Sequence, residues 1–216
     1  MTREEQRVLR EVKKPVDKTC KEIGKRRGWK TFGGEQYQVR GDILYILYIS
    51  AGQGKKGLCL LVYLRCKSFA VDDLFWKLTG QQDIMAKKPF SFHINGSPAT
   101  WPLTLEQWSR PLSPESVESC VDGAFQEVET FLSEKWTLST LADLRGAIAE
   151  LGSQGINQDT NAILCLICEG DYKQALEKIE SALAQGSNGG FVSVSRGKNI
   201  LEDARDYCAA RLEARP

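Results

Sequence analysis

Two apolar runs, Ile43-Leu44-Tyr45-Ile46-Leu47-Tyr48-Ile49 and Leu58-Cys59-Leu60-Leu61-Val62-Tyr63-Leu64, flank the segment Gly52-Gln53-Gly54-Lys55-Lys56-Gly57. This arrangement constrains the fold more than any other part of the chain. The first run is apolar at every position, as in a strand buried on both faces. The second places Leu58, Leu60, Val62 and Leu64 on one face and Cys59, Leu61, Tyr63 and Arg65 on the other, which puts it nearer a sheet edge. The glycines between them fit the spacing G-x-G-x-x-G, which lets backbone N–H groups approach a pyrophosphate when a strand leads into a helix. Here the following residues are strand formers, so the segment reads as a hairpin loop. A Walker-type loop is excluded because Leu58 stands where the lysine is required, and Gly197-Lys198-Asn199 lacks the upstream glycine.

Around this pair the pattern predicts an α+β fold, with an N-terminal helix and an antiparallel β-meander followed by a helical C-terminal half. From about Glu4 to Arg27, Val12, Val16, Cys20 and Ile23 form one helical stripe and Lys14, Lys18, Lys21 and Lys25 another. Pro15 interrupts that helix, starts a second piece of it or kinks it. Gly28 ends it, and strands follow on either side of Gly33-Gly34, with Gly41-Asp42 as the next turn. A short helix is expected over Val71–Leu78, then a strand at Phe90–Ile94 closed by Asn95-Gly96, a hairpin turn leading to Thr100-Trp101. Ser113 caps a helix that has Pro114 in its first turn and Val117, Val121, Ala124, Val128 and Leu132 as its buried stripe. Further helices are expected over Leu138–Leu151, stopped by Gly152 and Gly155, and over Asp159–Cys168, Tyr172–Ala184 and Asn199–Leu212, with Phe191–Val194 extended. The expected division is 1–110 for the α/β-meander region and 111–216 for the helical region, packed as one compact unit.

Charge is unevenly placed although the whole chain carries a net +1. Residues 1–30 hold eleven Lys and Arg against five Asp and Glu, while residues 104–150 hold nine acids against three bases. Such opposed segments either attract each other within the fold or face different partners. The lysine stripe, helped by Arg26, Arg27 and Trp29, has the composition of a phosphate-tracking face, but near-neutrality of the molecule favours a solvated surface. On the later helix Glu115, Glu118, Asp122, Gln126 and Glu129 form an acidic stripe, the kind of ridge that can occupy a basic cleft and exclude nucleic acid. Trp76, Trp101 and Trp108 bracket the junction of the two halves; core packing explains them first, and any that are exposed would be interface anchors.

The seven cysteines are odd in number and lie mostly within apolar patterns, which is reduced, intracellular usage. Cys165-Leu166-Ile167-Cys168 lies in an apolar helix without the further ligands a zinc site needs. His93 is the only histidine and sits in a strand pattern, and Asp72-Asp73 diverge by about 100° on a helix. No catalytic set, metal site or cofactor is therefore expected. The charged N-terminus leads into no apolar segment and no run reaches the length of a membrane span, so a cytoplasmic chain with no membrane partner is expected.

Two resemblances add to this reading. The order Ala162, Gly170-Asp171-Tyr172, Ala175, Ala182 resembles one tetratricopeptide-type hairpin. The order of basic helix, Gly28-Trp29-Lys30, strand, turn, strand and long apolar strand pair, then an acidic helix ending at Phe131-Leu132-Ser133 before Leu138–Leu144, resembles a bacterial domain family of unknown function. Its members open with a helix, a Gly-aromatic-Lys step and a β-meander. The resemblance covers Val8–Arg145, leaves 101–114 unplaced and excludes the tail from Gln154. It implies an association with polymorphic-toxin and secretion-system loci, type VI among them, and hence an immunity protein that neutralises a cognate toxin effector in the cytoplasm. On that reading the partner is a protein rather than nucleic acid, the acidic stripe with Trp101 and Trp108 is its contact, and the chain is a monomer or homodimer; the alternative is a nucleic-acid-binding or adaptor module that uses the basic N-terminal helix.

Overall fold

The computed structural model describes residues 2–55, 57–87, 103–152, 156–193 and 197–214. The strand expected at Phe90–Ile94 with His93, the Asn95-Gly96 turn, Trp101, Lys56, Gly155 and Val194 lie outside them. The fold class is α+β as expected, with an N-terminal helix and an antiparallel sheet followed by helices. Contacts divide the chain into two compact units: Met1–Arg40, Leu44–Cys66 and Thr104–Thr137 form the first, and Gly41–Ile43, Lys67–Leu103 and Leu138–Pro216 the second. The division is not a single cut near residue 110, because the acidic helix pairs with the N-terminal one.

In the first unit α1 spans Arg3–Arg26 without a break at Pro15. Its buried stripe is Val12, Val16, Cys20 and Ile23, as the spacing requires. The helix ends in a glycine-dependent pair of hydrogen bonds: the Gly28 N–H donates to the Lys25 carbonyl at 3.2 Å and the Trp29 N–H to the Gly24 carbonyl at 2.8 Å, with Gly28 at φ 79°. Strands β1 (Lys30–Phe32) and β2 (Glu35–Arg40) pair antiparallel across Gly33-Gly34, both at positive φ, which is the backbone a tight hairpin needs. Strands β3 (Ile43–Gly54), β4 (Gly57–Ser68) and β5 (Leu103–Pro111) complete a sheet ordered β1-β2-β3-β4-β5 among the described residues. The glycine segment is thus the tip of the β3-β4 hairpin. Gly52 is required by packing, since a Cβ there would lie 2.5 Å from Leu61 Cδ1.

After a 3₁₀ turn at Pro114–Ser116, α4 (Val117–Glu134) lays Val121, Ala124, Phe125, Val128 and Leu132 in the core. It packs on α1, with Trp29 and Phe125 edge to face at 6.1 Å. Gly24 brings α1 close to β2: a Cβ there would stand 2.6 Å from Oε1 of buried Gln36. Tyr45 of β3 points to the same side and donates its hydroxyl to the Trp136 carbonyl at 2.9 Å.

In the second unit α2 (Phe69–Leu78) is capped by Ser68, whose hydroxyl accepts from the Ala70 N–H at 3.1 Å. Lys67 and Asp72 form an ion pair at 2.7 Å with side chains 3% and 0% exposed. Helices α3 (Gln82–Lys87), α5 (Leu141–Leu151), α6 (Ile156–Cys168), α7 (Tyr172–Ala184) and α8 (Ile200–Glu213) follow, with a two-residue pair of strands β6 (Val192–Ser193) and β7 (Lys198–Asn199) before the last. Ile163-Leu164-Cys165-Leu166-Ile167 are consecutive and all buried, so α6 is covered all round by α2, α5, α7 and α8. The expected α6-α7 hairpin is present, turned by Gly170-Asp171, and Asp171 accepts from the Gln174 N–H at 3.1 Å as the cap of α7.

Candidate functional site

The acidic stripe of α4 does not stand free. Arg27, immediately beyond α1, donates from Nε and Nη2 to Asp122 Oδ1 at 3.1 and 2.9 Å and from Nη1 to Glu129 Oε2 at 2.7 Å. Two carboxylates two helical turns apart are spanned by one guanidinium, and the bond to Asp122 is the main cause that raises Arg27 above its ordinary value. Arg26 lies 3.6 Å from Glu118, both exposed. Glu115 lies in the 3₁₀ turn before α4, exposed, its carboxyl held below the usual range by a backbone N–H of its own turn and the Ser113 hydroxyl. Gln126 is exposed on the same helix. The structure therefore brings the basic and acidic segments together through Arg26 and Arg27, the first of the two arrangements their charges allow.

Trp108 is half-buried where β5 meets α4. Its indole N–H donates to Glu127 Oε2 at 2.7 Å and its ring sits 6.2 Å from that of Phe131. Arg110 Nε approaches the same Glu127 oxygen at 3.4 Å, and its guanidinium crosses the helix where Gly123 has no side chain; a Cβ there would be 2.6 Å from Arg110 Nη1. Trp108 is thus held by its own unit. Trp76 is 1% exposed and belongs to the core of the second unit. Trp29 is also buried, which removes it as a stacking partner for the lysine stripe.

A different surface emerges on the sheet. Strand alternation places Ile43, Tyr45, Leu47 and Ile49 towards α1 and α4, and the opposite face of the same sheet carries Glu35, Tyr37 and Val39 of β2, Tyr48 of β3, and Leu61, Tyr63 and Arg65 of β4. Tyr48 and Tyr63 pair across strands with ring centroids 6.0 Å apart. With Leu61 and the ion-paired Glu35 and Arg65 they line a shallow cleft of about 470 Å³. All five are half-buried, and Tyr48 and Tyr63 are the aromatic walls of the cleft. The sequence carried the signal for this face in the second, mixed side of β4. It did not reveal that Tyr48, within a wholly apolar run, emerges on the same side.

The cysteines behave as core residues. Burial pushes the Cys165 and Cys168 thiols up to about 12, and Cys20 to about 12 as well. Among the described residues no group of His, Cys, Asp and Glu is arranged to hold a metal ion, and no helix is long and apolar enough to cross a membrane. Comparison with family models, curated proteins and solved structures returns no match to this chain.

Proposed function

We propose that the chain is an immunity protein, which binds a cognate toxin effector acting in the cytoplasm, a nuclease first among such toxins, and blocks its active site or substrate entrance. The observation that carries this reading is the half-exposed aromatic cleft on the outer face of the first unit's sheet. Tyrosine pairs a large, stiff apolar surface with a hydroxyl that tolerates water, so Tyr48 and Tyr63 suit a surface that is wet when free and dry when docked. Leu61 adds apolar area, and the Glu35–Arg65 pair supplies a polar rim. Function by occlusion needs shape and contact rather than a reacting group. The acidic stripe is the weaker contact, because Asp122 and Glu129 already hold Arg27 and an occupied carboxylate cannot mimic a phosphate.

The test starts from the neighbouring genes, among which the reading expects one for a toxin. Its product should co-purify with the chain, and expression of the chain should protect cells from it. Tyr48→Ala and Tyr63→Ala should each weaken the complex about tenfold or more, as truncated aromatic anchors do. Glu118→Lys should leave it within about threefold, since an exposed ion pair contributes little. A complex indifferent to both tyrosines overturns the sheet face as the contact. Absence of both complex and protection overturns the immunity reading.

A further inference from the structure

The lysine stripe of α1 is longer and more regular in the folded chain than its four lysines alone. Because α1 runs unbroken through Pro15, the stripe continues towards the N-terminus, and Arg3, Arg7, Arg10, Lys14, Lys18, Lys21 and Lys25 all fall within about 40° of one line along the helix. Every one of the seven is exposed. From Arg3 to Lys25 they span roughly 33 Å of helix at 1.5 Å per residue, with successive cations about 4.5–6 Å apart along the axis. The line lies diametrically opposite the buried stripe of Val12, Val16 and Ile23, so it points directly away from the unit. Arg26 and Arg27 neutralise the acids of α4, and those acids therefore leave the ridge itself untouched.

We infer that this ridge is a docking surface for the phosphate backbone of duplex nucleic acid, bound without regard to sequence. The shape of the charge decides between candidate polyanions. The cationic line is narrow and has acids on both flanks, Glu4, Glu11 and Glu22 on one side and Asp17 on the other, about 60–80° around the helix. Arg7 donates to Glu4 at 2.5 Å and lies 3.7 Å from Glu11, and Lys18 lies 3.8 Å from Glu22. A planar anionic surface such as a lipid headgroup layer would face these acids together with the ridge and be repelled by them. A linear row of phosphates meets the ridge alone. The apolar stripe is fully occupied within the unit, so α1 also has no face left to insert into a bilayer. A straight helix follows a winding backbone over part of its length, so about four of the seven cations engage at once. Four phosphate contacts give log K a slope of roughly −3.6 against log salt. Since α1 covers the inner face of the sheet and the tyrosines lie on the outer one, this surface is separate from the protein contact proposed above and stands or falls by itself.

The experiment measures anisotropy of a fluorescein-labelled 20-base-pair duplex titrated with the full chain between 50 and 200 mM NaCl. Binding is expected at 50 mM and should weaken by roughly 150-fold at 200 mM, with the same affinity for a duplex of scrambled sequence. The variant K14Q/K18Q/K21Q/K25Q should lose most of this binding and flatten the salt slope, with its circular dichroism unchanged. K173Q/K178Q, on α7 of the second unit, should behave as the unaltered chain. No binding at 50 mM, or a quadruple variant with unaltered affinity and slope, overturns the inference. So does binding to phosphatidylserine vesicles with none to the duplex.

Discussion

Replacing Lys67 by methionine tests whether the buried ion pair of the second unit is as costly to break as its burial implies. Asp72 and Lys67 have side chains 0% and 3% exposed and approach to 2.7 Å. Removing the ammonium takes the lysine charge away from a buried carboxylate, and breaking such a pair from one side costs about 3–5 kcal/mol. At roughly 2–4 °C of melting temperature per kcal/mol for a chain of this size, Lys67→Met should melt about 10–15 °C lower. Replacing both partners has a different consequence. Lys67→Met with Asp72→Leu removes two desolvation terms along with the attraction, and should return to within about 1–2 kcal/mol of the unaltered chain. Equilibrium urea unfolding followed at 222 nm, with the Asp72→Leu single variant closing the cycle, yields the coupling energy directly. The reasoning is refuted if Lys67→Met costs less than about 1 kcal/mol, or if the double variant is as unstable as the sum of the singles.

Gly41→Ala should destabilise by about 2 kcal/mol or more in thermal unfolding, because Gly41 sits at φ 55° and a Cβ would meet the Ser139 carbonyl oxygen at 2.2 Å. At the start of α5, Asp143 accepts from the Ser139 and Thr140 N–H groups at 2.9 Å each, which holds its carboxyl below its ordinary value. A depressed carboxyl contributes fully above its unfolded value and loses that contribution as pH falls through the folded one. Stability should therefore fall from about pH 4 downwards, and Asp143→Asn should flatten that acid limb in urea titrations at pH 2–5. Ellman's reagent at pH 7.5 should label only a minority of the seven thiols in the folded chain and all seven in 6 M guanidinium, because Cys20, Cys59, Cys66, Cys165 and Cys208 are buried, and burial raises Cys20, Cys165 and Cys168 to about 12.

Much of the fold was legible because its signals are local. The stripe of Val12, Val16, Cys20 and Ile23, the Gly33-Gly34 turn and the caps at Ser113 and Asp171 are written within a few residues of the structure they cause. The β5 strand was not foreseen, since Leu103–Pro111 mixes polar and apolar residues around Trp108 and ends in proline. Helix α6 was read near its true extent, yet its five consecutive buried residues show no stripe, so its central place in the second unit could not be read from periodicity. The candidate contact was harder still. Arg27 and Asp122 are 95 residues apart, and the sequence shows two opposed charge segments without showing that they meet. Lys67–Asp72 was hidden for another reason: a lysine beside Ser68 looks like a strand end reaching solvent, and only packing reveals its burial.

The pairing of α1 with α4 also bears on how the chain emerges from a ribosome. Helix α1 is finished by Arg26 and the β1-β2 hairpin on which it packs follows at once, but its partner helix α4 begins only at Val117. At about 5–20 residues per second, roughly 5–20 s of synthesis separate the two. Throughout that interval Val12, Val16, Cys20 and Ile23 have only the strands of their own sheet to rest on, and the cationic edge on the opposite side of the helix gives any two nascent copies a like charge.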